Sequence, residues 1–167
     1  MKRIPWRQLR APDPEHRYVV SAGVFVLDRG RSIPAFLRHS LRVRRLVRRT
    51  PGAVGYALVA DFRRRAFTEI SAFESPKAMR AFVAQPIHQA AIKAMLPHIA
   101  PGSKLVGIEL YGRDLPPRPE VVTAKLEASP GIEEVGQLQG HGVDGPRSGH
   151  PARAHEGSPG LDHTPAD

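Results

Sequence analysis

His88 stands two residues after Pro86 and six after Phe82, inside an apolar run, and it is the sharpest candidate for chemistry in the chain. A neutral imidazole beside an opening in the fold could take the proton of an acidic phenol or enol. The same histidine could equally hydrogen-bond near the helix break that Pro86 imposes, and only pack. Around it, Tyr56, Phe67, Phe73 and Phe82 could line an apolar pocket for a hydrophobic small molecule, with Ser71 on the same strand face as two of them. Core and interface packing is the other reading of these rings, and spacing does not separate the two.

Several chemistries lack their residues. The chain has no cysteine, so disulfides, thiolate catalysis and thiolate metal sites are excluded. Glycine-rich phosphate loops, HExxH and nucleophile elbows are missing from the sequence. Four histidines, at 141, 150, 155 and 163, are irregularly spaced on glycine-rich backbone and define no metal site. The expectation is therefore no metal and no cofactor. Arg38, Arg42, Arg45 and Arg49 fall at spacings of four, three and four, which puts them along one helix face, and Arg63–Arg65 add to the basic surface. A basic stripe could contact phosphates. No aromatic platform is interleaved with it, however, and no helix-turn-helix or zinc module accompanies it, so nucleic-acid binding ranks last among the readings. His39, beside the stripe, is expected to be solvated.

The elements that must position these residues follow from hydrophobic period and punctuation. Residues 18–27 are rich in β-branched and aromatic side chains and predict a buried strand. Ser32 and Pro34 predict a helix start, with Ile33, Phe36, Leu37, Val43 and Val47 on its buried face, and Thr50-Pro51-Gly52 stops it. Residues 53–61 and 66–73 predict a hairpin. In its second strand Phe67, Glu69, Ser71 and Phe73 share one face, and Thr68, Ile70 and Ala72 the other. Ser75-Pro76 starts a second helix with Met79, Phe82 and Val83 buried; Pro86 breaks it, and Ile87, Ala91 and Met95 continue on a shorter piece. Residues 104–111 predict the last strand, and residues 121–126 one further short helix. The order β-α-β-β-α-β is the ferredoxin-like α+β arrangement, an antiparallel sheet with its helices on one face. That leaves an apolar face uncovered, and a second copy of the chain is the simplest cover, so a homodimer is expected.

Composition divides the 167 residues unevenly. Residues 1–17 carry charges and prolines and predict an irregular N-terminal arm. Residues 18–128 predict one domain with a short C-terminal extension. Residues 129–167 hold eight glycines, five prolines and no aromatic residue, and predict a disordered tail. The six acidic and two basic residues of that tail lower a formal +13 over residues 1–128 to the +9 of the whole chain. The basic N-terminus is not followed by a signal-peptide apolar core, and the most apolar run falls short of the ~20 residues of a membrane span, so a cytoplasmic protein without a membrane partner is expected.

Three stretches, Thr50-Pro51-Gly52-Ala53-Val54-Gly55-Tyr56, Ile70-Ser71-Ala72-Phe73-Glu74-Ser75 and Ala78-Met79-Arg80-Ala81-Phe82-Val83 leading to His88, resemble the antibiotic biosynthesis monooxygenase-like superfamily, the dimeric α+β barrels. Many relatives carry tryptophan where Phe73 stands. The resemblance spans residues 18–112 and implies a dimeric barrel that binds a small molecule. It also implies a cofactor-independent oxidation of a hydrophobic aromatic or polyketide-like substrate by O2. A non-catalytic ligand-binding or interaction module on the same scaffold is the rival. The departures are specific. Haem-degrading members and some quinone-forming ones depend on a first-strand asparagine, and this chain has no asparagine. The tryptophan and histidine that haem degradation adds correspond to Phe82 and Ile92, and the single tryptophan is Trp6, so the haem-degrading constellation is absent.

Overall fold

A computed structural model describes residues 2–131. The strands are β1 (Lys2–Gln8), β2 (Arg17–Val26), β3 (Ala53–Asp61), β4 (Ala66–Phe73) and β5 (Lys104–Tyr111). The helices are α1 (Ile33–Val47), α2 (Pro76–Val83), α3 (Pro86–Met95) and α4 (Pro119–Ala128). One sheet runs in the order β1-β3-β4-β2-β5, with every neighbouring pair antiparallel. Four of its members, β3-β4-β2-β5, have the expected ferredoxin-like topology.

Local chemistry explains the joints. Asp61 ends β3, and its Oδ1 accepts from the backbone N–H of Arg63 and of Arg64, each at 3.1 Å, which tightens the turn into β4. Arg65 closes that turn at φ 53° and donates Nε–H to the Leu27 carbonyl at 3.1 Å. Ser75 caps α2, its Oγ accepting from the Ala78 N–H at 3.2 Å. Ser32 precedes α1 without capping it; its hydroxyl donates to Asp28 Oδ1 at 3.2 Å instead. Gly52, at φ +80°, lies where a Cβ would come within 2.7 Å of the Ala78 Cβ, so the turn between α1 and β3 needs glycine on both counts.

Two expectations are corrected. Residues 2–8 are not irregular: they form β1 and pair with β3, with a register shift between Ile4 and Arg7. The second correction concerns the open sheet face. Helices α1, α2 and α3 cover one face, where Val19, Tyr56 and Phe73 meet Val47, Met79 and Phe82. The opposite face is not left bare, because α4 lies on β5 and β2 and sets Val122 and Leu126 against Val20, Ala22, Val106 and Ile108. Trp6 of β1 packs on the same face over Gly55. The chain thus supplies much of the cover assigned to a second copy. Ile70 and Val24 stay half-buried there. Among the described residues no helix is long and apolar enough to cross a membrane. The tail expected from residue 129 lies, from residue 132 onward, outside the described residues; Ser129 itself donates its hydroxyl to the Leu105 carbonyl at 3.4 Å.

The contact between Trp6 and Gly55 carries a test. A Cβ at position 55 would fall 2.2 Å from Trp6 Cζ2, so any side chain there must displace the indole. Gly55→Ala is expected to destabilise by about 1–3 kcal/mol in urea denaturation, the usual cost of overpacking. Combined with Trp6→Ala, its cost should fall well below the sum of the two single substitutions, since the conflict is then gone. Full additivity would show that the indole does not hold β1 against the sheet.

Candidate functional site

Between the sheet and helices α1–α3 lies a cavity of about 390 Å3. Its floor is the strand face that the two-residue period turns toward the helices: Ser21 and Gly23 of β2, Tyr56 and Leu58 of β3, Glu69, Ser71 and Phe73 of β4. Its roof comes in pieces. Proline 86 has no N–H to continue α2, and Gln85 before it is extended, at φ −63° and ψ 136°. The helix therefore stops at Val83 and restarts as α3. The Val83 carbonyl, freed by the stop, accepts from Gln89 Nε2 at 2.7 Å. This restart brings the His88 ring to 4.7 Å from that of Phe82, which in turn lies 5.2 Å from Phe73.

His88 lines the cavity, and its Nδ1 is buried with no hydrogen-bond partner among the described residues. Burial in this apolar setting lowers its pKa below the ordinary 6.5, with the nearby Val83 carbonyl pulling weakly the other way. The imidazole is therefore neutral at neutral pH. Tyr56, Ser71, Phe73 and Phe82 also stand on the cavity wall. Phe67 does not. Its ring is fully buried, 4.5 Å from Phe36 and 5.8 Å from Phe62, in a cluster with Leu27 and Met95. It shares a strand face with Ser71 but sits toward the end of the sheet where Phe36 fills the space, so its assignment to a ligand pocket is corrected to core. Ile87, expected on the buried stripe, is half exposed at 50%. His39, expected in solvent, is half-buried on the cavity wall, and its pKa is lowered by burial first and then by Arg38 and Arg42.

Sequence reasoning placed Glu69 on the right strand face but did not single it out. Its carboxylate accepts from Ser40 Oγ at 2.5 Å, joining the cavity floor to α1. The residue keeps some surface toward the cavity, yet protein surrounds the carboxyl closely enough that desolvation raises its pKa above the ordinary 4.5, against the opposing pull of the Ser40 hydrogen bond. The signal for it was available: an acid alternating with Phe67 and Phe73 has no solvent to face. Ser40 carried no such signal, because serine is common on helix faces of either kind. Among the described residues, no group of three or more His, Cys, Asp and Glu could hold a metal ion.

The raised pKa of Glu69 fixes the sign of a pH effect on stability. Below pH 4.5 the carboxyl is protonated in both the folded and the unfolded chain. As pH rises past that value the unfolded chain releases the proton first, and stability falls until the folded-state pKa is passed. Glu69→Gln keeps an acceptor for Ser40 and cannot ionise. Its stability relative to the parent should therefore rise with pH from about 4.5 upward in urea denaturation across a pH series. A difference independent of pH would mean that Glu69 is solvated.

No protein-family model matches the chain, and no curated protein matches it. Solved structures do. A protein from Nitrosomonas europaea, provisionally assigned as an antibiotic biosynthesis monooxygenase, is 17% identical, with a TM-score of 0.50 over 62% of this chain and 94% of that one. A provisionally assigned monooxygenase from Fusobacterium nucleatum is 11% identical, with a TM-score of 0.51 over 64% of this chain and 47% of that one. Rv0793 from Mycobacterium tuberculosis is 12% identical, with a TM-score of 0.50 over 55% of this chain and 92% of that one. At such identities the likeness is one of fold. With the sheet order and the helices α1–α3 already described, it establishes a ferredoxin-like α+β fold, shared with these solved structures.

Proposed function

We propose that the cavity binds a hydrophobic, planar hydroxyaromatic or polyketide-like molecule and that the protein oxidises it with O2, with His88 as the base. The observation that carries this reading is the neutral imidazole on the wall of a cavity of about 390 Å3, a size in the range of small-molecule sites. Tyr56 and Phe82 offer apolar surface to a flat ring, with the fully buried Phe73 packed against Phe82, and Ser21 and Ser71 offer hydroxyls to its oxygens.

The chemistry asks little of the protein beyond position and protonation state. His88 accepts the proton of a phenol or enol, leaving an anion whose charge spreads onto ring carbon. That anion passes one electron to O2, and the resulting radical and superoxide join to form a carbon–oxygen bond. The hydroperoxide, protonated by the imidazolium, loses water. In balance, a CH2 carbon and O2 become a carbonyl and H2O, and the imidazole returns to its neutral form. The apolar walls favour the first step in one respect and oppose it in another. They keep the base neutral, but they also disfavour the anion unless donors such as the two serine hydroxyls meet it.

His88→Ala should lower oxygen uptake on a panel of naphthols and anthrones by about 10²- to 10⁴-fold while substrate still binds. In the parent, turnover should rise with pH through a midpoint below the ordinary histidine value of 6.5, because a lowered pKa keeps the base unprotonated further into the acid range. Full turnover in the variant, with its fold retained, would remove the base and leave a ligand-binding module.

Self-association belongs to the same reading. The half-buried residues Ile70 and Val24, on the sheet face that α4 covers only in part, are a surface for a second copy. Light scattering is expected to give twice the monomer mass, and Ile70→Lys to return it to one. A monomer at micromolar concentration would exclude the dimer.

A further inference from the structure

Two arginines, Arg44 of α1 and Arg80 of α2, stand on the wall of a largely apolar cavity. Arg44 is half-buried and lies one helical turn beyond Ser40, the residue that reaches down to Glu69. It is on the flank of α1 facing the cavity, away from Arg38, Arg42, Arg45 and Arg49, which are exposed on the outer face. Arg80 lies one turn before Val83 and Ala84, also on the cavity wall, beyond which the chain leads to His88. Among the described residues neither guanidinium has an ion-pair or hydrogen-bond partner. Other arginines near the surface do find carboxylates, as Arg17 does with Glu109 and Arg113 with Glu15.

The cavity wall includes one acid, Glu69, and that carboxyl is already held by Ser40. Burial also disfavours its ionised form, so it brings little negative charge to offset the arginines. Helix α1 itself contains no acidic residue. The result is a largely apolar chamber in which burial disfavours the charged forms of His88 and Glu69, with two unpaired guanidiniums on its wall. A guanidinium presents five N–H donors in a planar fork that matches a carboxylate, and it stays charged at any pH the protein meets. An uncharged aromatic ligand would leave both forks to water. An aromatic acid would use them.

We propose that the ligand of this cavity is an organic anion: a planar apolar body within the chamber, and a carboxylate or similar acid group held by Arg44 and Arg80. The proposal rests on the reading of the cavity as a binding site for a hydroxyaromatic molecule and adds the charge that such a molecule must carry. The acid group is a handle for orientation, not part of the oxidation. It fixes one end of the ring system at the arginines and so limits which hydroxyl can approach His88.

The probes are 6-hydroxy-2-naphthoate and 2-naphthol, which share a ring system and differ in the carboxylate. Calorimetric titration of the full chain at pH 7 should show the naphthoate binding at least about 10-fold more tightly, the yield expected of a hydrogen bond to a charged group. Arg44→Gln with Arg80→Gln should bring the naphthoate down to the affinity of the naphthol and leave the naphthol unchanged. Arg80→Gln alone, at an exposed position, keeps the comparison available should the double variant not fold, and should remove part of the preference. Equal affinities in the parent would overturn the proposal and leave the cavity reading standing. A preference that survives in the double variant would also overturn it, by tracing the effect to the net positive charge of the chain. If neither probe binds, the cavity reading fails first and the proposal falls with it.

Discussion

Proline 86 has no N–H to donate, and the layout of the site depends on that missing bond. A continuous helix from Pro76 to Met95 would carry its side chains past the sheet in one straight stripe. Instead α2 stops at Val83, Gln85 turns extended, and α3 restarts at Pro86, with the Val83 carbonyl satisfied by the Gln89 side chain. The break is stable because its backbone groups are accounted for, and it sets His88 beneath Phe82. The same division of the roof into short pieces leaves room between helices and sheet. Apolar interiors normally close such space, since every void forfeits contacts. Here a chamber of about 390 Å3 persists among Tyr56, Phe73, Phe82 and Met79.

The charges of the domain are sorted by depth. Outside, the arginines of α1 face water and carry much of the positive charge. Inside, the ionisable groups are pushed toward neutrality: His88 toward the free base, Glu69 toward the acid. Desolvation does both, and in opposite directions, because each group gives up whichever form is charged. Between these two depths, Arg44 and Arg80 border the chamber while remaining charged. The chemistry proposed for the site and the ligand charge proposed for it arise from this one gradient.

The opposite sheet face shows a different economy. An antiparallel sheet with helices on one side must cover its second side, and here the chain does much of that work itself. Val122 and Leu126 of α4 lie over the β2–β5 half, and Trp6 reaches over Gly55 at the other edge. Covering both faces from one chain joins the N-terminal strand and the C-terminal helix to a single core. Ile70 and Val24, packed against the same cluster, stay half-buried.

Element order from β2 onward, most of those boundaries and the break in the second helix were legible in the sequence, because they follow from local rules: β-branched alternation in β2, β3 and β4, serine and proline at the start of α2, and a proline that cannot sit inside a helix. His88 was legible too, since a histidine just past a proline break stands out from its apolar neighbours. What the sequence could not show was which side chains meet. Phe67 and Phe73 have the same strand face and the same chemistry, yet one is sealed under Phe36 and the other borders the chamber. The role of α4 was hidden because ten residues of weak amphipathic pattern gain their meaning only from the sheet they land on. Residues 2–8 read as an irregular arm because proline and charge mask a strand whose pairing comes from residues about fifty positions away. Local propensity acts along the chain and can be read from it. Burial, desolvation and the company of a charged group are set by segments distant in sequence, so the states of Glu69, His39 and the two cavity arginines were decided by the tertiary structure alone.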